Sequence, residues 1–189
     1  EDDGPSLQAV AATSGLLVDE TTLASNDDAD FSSLFTPTYG ADGAGTVGSY
    51  TLGVKAGPAP DSGLDDTATG QSIWLYMDGN DVVGRVGSGG AADPAGAIAF
   101  RVSVDSGTGV VTLDQVRAVM HDLDGGPGGN PDAHDDAKGL TGSNLITLSA
   151  VVTDGDGDTN TAKADITAAI SFEDDGPSLQ AVAATSGLL

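Results

Sequence analysis

Along much of the chain, apolar and polar residues alternate with a period of two. Tyr50, Leu52 and Val54 alternate with Ser49, Thr51 and Gly53, and Ile98, Phe100, Val102 and Val104 with Ala99, Arg101, Ser103 and Asp105. Further on, Ala162, Ala164, Ile166, Ala168, Ile170 and Phe172 take one side, and Thr161, Lys163, Asp165, Thr167, Ala169 and Ser171 the other. Successive side chains of a strand point to opposite faces, so this pattern predicts strands with one buried face. The run IWLYMDGNDVVGRV, residues 73–86, predicts a hairpin closed by an Asp-Gly turn, and VDSGTGVVTL a second one turning at 106–109. Residues 116–120 continue that strand or form a short helix. Two stretches read as long loops: 56–70, rich in Pro, Gly and Asp, and 121–139, HDLDGGPGGNPDAHDDAKG. Eight or so strands with polar turns predict an all-β fold: an antiparallel β-sandwich, immunoglobulin-like with elaborated loops. A jelly roll or two smaller sandwiches are the alternatives.

A longer periodicity lies over this one. EDDGPSLQAVAATSGLL occurs at 1–17 and again, without mismatch, at 173–189, an offset of 172 residues. Such a match predicts a tandem array. Residues 1–172 are then one β-sandwich repeat, and residues 173–189 the linker and first strand of the next. Neighbouring identical repeats become the expected partners, with no other oligomerisation. Whether residues 1–17 pack on their own unit or complete a neighbour is left open.

Charge changes the picture further. Asp and Glu number 29 against 6 Lys and Arg, a formal net charge of −23. Such a field repels nucleic acid and anionic membranes, so neither is an expected partner. No run of eighteen apolar residues exists, so no membrane insertion is expected. The 189 residues include no cysteine, and disulfides cannot stabilise the fold. Bound cations are the candidate replacement.

TDGDGDTN, residues 153–160, is the sharpest chemical signal. Asp154, Asp156 and Asp158 stand two apart, with glycines that permit a tight turn. An EF-hand would need Gly at position six, Glu at twelve and flanking helices; here those positions hold Thr159 and Asp165 between strand patterns. The motif therefore reads as a hairpin loop whose carboxylates converge on one hard cation, a merely solvated Asp-Gly turn being the alternative. Two carboxylates about 4 Å apart repel by roughly 4 kcal/mol at a surface-like dielectric, so three held together call for a counter-ion. Oxygen-only ligands favour Ca²⁺ over Mg²⁺, which demands a stricter octahedron.

A second cluster is FEDDGP, with Glu173, Asp174 and Asp175, copied upstream as Glu1, Asp2 and Asp3. It lies at the predicted junction between repeats. From Asp158 to Phe172 the chain can span about 45 Å, which puts the Asp154–Asp158 loop at the pole opposite Glu173, where it would meet the preceding linker, Glu1 to Asp3. A calcium shared at every joint is the expectation. Asp19 and Glu20, with Asn26, Asp27, Asp28 and Asp30, form a further candidate site, while Asp42, Asp61, Asp65 and Asp66 are individually ambiguous. GGPGGN is a single imperfect copy of a calcium nonapeptide and cannot stack. His121 and His134, among Asp122, Asp124, Asp132, Asp135 and Asp136, could suggest a zinc or hydrolytic site, but no HExxH or comparable spacing supports one, and they read as solvated loop residues. Trp74 and Tyr76 read as core packing rather than a sugar-stacking platform. Neither a GxSxG motif nor a phosphate-cradling glycine loop occurs, so no enzymatic activity is expected.

With YGADGAGTVGSYTLGV, SGLDDTATGQSIWLY, VTLDQVRAVMHD and VVTDGDGDTNTAKADITAAISFEDDGP in view, the chain resembles an extender repeat of the giant RTX adhesins. These are type I-secreted surface proteins of Gram-negative bacteria, active in adhesion and biofilm. The resemblance implies an extracellular, cell-surface location, several Ca²⁺ ions, and a spacer that projects a distal ligand-binding domain. It also implies that Asp154, Asp156, Asp158, Glu173, Asp174 and Asp175 are calcium ligands. A glycan- or host-surface-binding module is the alternative function.

Overall fold

The computed structural model describes residues 4–41, 43–121 and 136–175. The described residues hold fourteen strands and no α-helix. In chain order these are β1 (Ser6–Ala9), β2 (Leu16–Asp19), β3 (Asp27–Asp30), β4 (Phe35–Thr38), β5 (Thr46–Val54), β6 (Asp61–Asp65) and β7 (Ser72–Asp78). There follow β8 (Asp81–Val86), β9 (Ile98–Val104), β10 (Val110–Gln115), β11 (Ala137–Gly139), β12 (Ile146–Thr153), β13 (Thr159–Asp165) and β14 (Ile170–Glu173).

The largest sheet has the order β3-β10-β9-β8-β7-β6, all antiparallel. Across from it lie β13-β12-β5, β11-β14-β2 and the pair β1-β4. This is an all-β arrangement of several sheets, antiparallel except for the pair β2–β14, of the sandwich kind. The two predicted hairpins are β7–β8 and β9–β10. Asp105 opens the second turn by accepting from the amides of Gly107 (2.9 Å) and Thr108 (2.8 Å). At the mouth of the first, Asp78 and Asp81 are directly opposed, and Arg101 binds both, at 2.7 and 2.8 Å.

Between the layers, Phe100 of β9 meets Phe172 of β14 with ring centroids 5.1 Å apart, and both are fully buried. Leu64, Ile73, Leu75, Leu113, Ile146, Leu148, Ile166 and Ile170 complete the centre. Each such side chain contributes about 1.5–3 kcal/mol by leaving water. A bulge shapes the edge of this core. Ser49 adopts φ +52° where β5 loses register with β12, so that Tyr50 turns inward and its amide donates to Ser106 O at 3.0 Å.

The opening of the chain packs on its own unit, alongside the last strands and in the same direction. Gly4 lies against Asp158, the Ala12 amide donates to Asp165 O at 2.9 Å, and β2 pairs in parallel with β14 from Leu16↔Ile170 to Asp19↔Glu173. Two acidic regions, around Asp158 and around Glu173, therefore stand at the two ends of the stretch where the opening segment runs beside the last strands.

Several expectations need correction. The predicted loop 56–70 contains β6, whose Ser62 and Leu64 are buried between exposed neighbours. The single strand predicted over 161–172 is two. A 3-10 turn at Thr167–Ala169 resets the alternation, so Ala168 is exposed and Ala169 buried, and the chain passes from β13 in one sheet to β14 in another. Residues 116–120 form neither helix nor strand, though Val119 bridges to Asp66. Trp74 and Tyr76 lie on the face of β7 opposite the buried Ile73 and Leu75, half-covered, with Trp74 Nε1 and the Tyr76 hydroxyl buried and unpaired. Glu1, Asp2, Asp3, Asp42, residues 122–135 and residues 176–189 lie outside the described residues.

Candidate cation sites

The first site is the turn between β12 and β13. Its backbone is closed by the Asp154 amide donating to Asp158 O at 3.0 Å, and Gly157 provides the positive φ, +106°, that the tight return needs. Asp154 organises the loop: its Oδ1 accepts from the amides of Asp158 (2.8 Å) and Gly157 (3.1 Å). With Oδ1 so held, Oδ2 is fixed in direction. It is buried, on a residue only 6% exposed, and has no hydrogen-bond partner. Leaving a carboxylate oxygen buried and unpaired costs several kcal/mol unless something compensates. Carboxylate oxygens of Asp154, Asp156 and Asp158 lie within 4.8 Å of one another, a spacing at which one divalent ion can bind all three. Gly45 seats the neighbouring chain against this loop, so closely that a β-carbon there would stand 1.7 Å from Thr153 O. Gly4, from the segment preceding β1, flanks the loop on the side of Asp158.

The second site forms where β2 and β14 end. Glu20 Oε1 accepts from Gln115 Nε2 at 2.8 Å and from the Val119 amide at 2.7 Å, which fixes the carboxylate. Beside it stand His121 and Asp174, with one potential ligand atom of each of the three within 4.8 Å of the others. His121 corrects the expectation of a solvated loop residue: its side chain is 3% exposed. Its Nε2 lies 3.5 Å from Glu20 Oε1, at ion-pair distance, and neither ring nitrogen has a hydrogen-bond partner. The Asp174 amide donates to Asp136 O at 3.1 Å, tying the strand end in place. A cleft of about 410 Å³ lies over the cluster, lined also by Thr67, Met120 and Asp175.

The remaining predicted ligands are used differently. Asp19 caps the 3-10 turn Glu20–Thr22 by accepting from the Thr21 amide at 2.8 Å, and the Thr21 side chain and amide hold its carboxyl below the usual range. Asp27 accepts from the Leu17 amide (2.8 Å), Asp28 from the Thr112 hydroxyl, and Asp30 from the Ser32 amide (2.8 Å). These four acids are spread along β2 and β3 and join neither cluster. Glu173 pairs with Ala137 and Asp19 at the end of β14, and Asp175 approaches the Thr21 hydroxyl at 3.5 Å. Asp66, one of the ambiguous acids, is instead an ion-pair partner: Arg117 binds both its oxygens, at 2.7 and 3.0 Å.

Fold and clusters together define an all-β module carrying two groupings able to hold a divalent ion, one at each end of the stretch along which the opening of the chain runs beside β13 and β14. The chain belongs to the family described as domain of unknown function DUF5801, whose pattern matches residues 15–167. Neither a curated protein nor a solved structure matches it. No helix among the described residues is long and apolar enough to cross a membrane.

Proposed function

We propose that this chain is a calcium-stiffened spacer unit: a non-enzymatic, immunoglobulin-like β-sandwich repeated in tandem within a secreted adhesin of the bacterial surface, holding a distal binding domain away from the cell. The observation that carries the reading is Asp154 Oδ2, buried and without a hydrogen-bond partner, on a carboxylate that clusters with those of Asp156 and Asp158. A Ca²⁺ ion supplies the missing partner and cancels the repulsion that otherwise opens the loop.

The array geometry follows from the 172-residue offset. Gly176 is the counterpart of Gly4, which flanks Asp158, and it lies two residues after Asp174 of the second cluster. In consecutive units, the second cluster of one module and the Asp154 loop of the next are thus separated by about 7 Å of chain. Cations at both positions clamp the same short linker from its two sides, and a clamped linker transmits direction from one module to the next. Extracellular modules bind calcium at about 10⁻⁴–10⁻³ M, so the acids stay unfilled and mutually repelling before export and fill outside. At calcium 100-fold above the dissociation constant, each filled site adds roughly 2.7 kcal/mol to stability.

Small-angle scattering of a protein with three or more tandem units tests this. An extended rod in calcium that becomes compact and flexible in chelator is expected; equal dimensions in both overturn the reading.

A further inference from the structure

We infer that the Glu20–His121–Asp174 cluster is a site for a borderline first-row divalent cation of the zinc class, chemically distinct from the calcium loop. The donor set carries the argument. Calcium takes oxygen ligands, whereas an imidazole nitrogen with two carboxylates suits zinc and its neighbours. His121 is not a surface group drawn in by chance: its side chain is 97% buried, among residues that give neither ring nitrogen a hydrogen bond. A buried imidazole without hydrogen-bond partners forfeits the bonds it makes in water, and coordination to a metal ion compensates for one of them.

The surroundings are those of a prepared ligand set. Three atoms within 4.8 Å of one another share a point no further than about 2.8 Å from each, so small side-chain movements reach the 2.0–2.2 Å that zinc requires. Glu20 is held from outside by Gln115 and the Val119 amide, an arrangement that orients a metal-bound carboxylate. The Met120 carbonyl, next to His121, is held by Lys138 Nζ at 2.9 Å. Two carboxylates and a neutral imidazole match the charge of one M²⁺ ion. Three protein ligands beneath an open cleft leave a fourth position for water or an exogenous donor. The strand ends also explain why these residues meet: β2 delivers Glu20 and β14 delivers Asp174 from their parallel pairing, and the bridge at Val119 delivers His121.

Zinc titration of the full chain, followed by the histidine ring signals in NMR, tests the inference. The chain has two histidines, so His134→Ala leaves His121 as the sole imidazole. The expected result is one equivalent of zinc shifting the His121 ring nitrogens, with calcium in large excess failing to displace it. His121→Ala is expected to weaken zinc binding by at least about 100-fold, since even outer residues of such sites cost 10–100-fold. His134→Ala is expected to leave zinc affinity unchanged. Unmoved His121 signals, displacement by calcium, or loss of binding in His134→Ala with retention in His121→Ala each overturn the inference. The NMR arm uses a chain with His121 intact, so it stands even if His121→Ala fails to fold. Asp154→Asn separates the two readings: it removes the calcium response at the loop and leaves zinc binding intact.

Discussion

Gly4 lies against Asp158: a β-carbon on Gly4 would stand 3.6 Å from Asp158 Oδ2, at ordinary contact distance. A side chain fits there without backbone strain, and a cationic one would compete for the oxygens of the loop. Gly4→Lys is therefore expected to lower calcium affinity at the Asp154 loop by about tenfold, or ~1.4 kcal/mol. Gly4→Ala is expected to leave it unchanged. Calcium titrations of the two variants check this.

Asp154→Asn keeps an oxygen for the Gly157 and Asp158 amides but removes the charge and places a donor where an ion would bind. At calcium well above its dissociation constant, the wild-type chain gains about 2.7 kcal/mol from this site. At this chain length that corresponds to roughly 5–10 °C in melting temperature. The variant is expected to lose that gain, while its calcium-free melting temperature rises as repulsion within the loop is relieved. Thermal melts with calcium and with chelator measure both.

Gly45→Ala is expected to cost about 3 kcal/mol or more, because the new methyl would collide with Thr153 O and the Asp154 backbone, neither of which can swing away. Gly48, three residues on and within β5, is the control: nothing stands within 4 Å of its β-carbon position, so Gly48→Ala is expected to stay within about 0.5 kcal/mol. Chemical denaturation of both variants gives the comparison.

Asp66 supplies an acid-limb prediction. Its hydrogen bonds from Arg117, aided by those from Thr69, outweigh burial and hold its carboxyl below the ordinary 3.8. A depressed carboxylate favours the folded state above the ordinary value, and that contribution is lost as pH falls through the folded value. Asp165 behaves alike: burial pushes it up, but the Thr167 side chain and the amides of Thr167 and Asn144 prevail. Without calcium, stability is expected to fall between about pH 5 and pH 2, with a shallower slope in Asp66→Asn. Arg117→Met, which strands a carboxylate whose side chain is 1% exposed, is expected to cost about 2–3 kcal/mol at neutral pH. Denaturation across that pH range checks all three.

Strands with one buried face were legible in the sequence. β5, β7 and β9 alternate because one face meets the core, and short turns close the β7–β8 and β9–β10 hairpins. β6 was hidden by composition: its Pro- and Gly-rich surroundings look like a loop, and only the alternation of Ser62 and Leu64 betrays it. The break between β13 and β14 was hidden by phase, since a three-residue 3-10 turn keeps apolar residues coming at nearly the expected spacing. Thr167 holds that turn, its hydroxyl oxygen accepting from the amides of Leu145 (2.9 Å) and Ile146 (3.2 Å). The Asp154 loop was legible because its three acids are local. The Glu20–His121–Asp174 cluster was not: its members come from three distant segments, and no short-range spacing can record a meeting made by the parallel pairing of β2 with β14.

Metal uptake measured by calorimetry on the intact chain bears most directly on the idea that filled carboxylate loops stiffen the module. Saturable heat on Ca²⁺ addition, abolished by Asp154→Asn and matched by a lower melting temperature in EDTA, is the predicted result. A flat thermogram with melting indifferent to EDTA would contradict it.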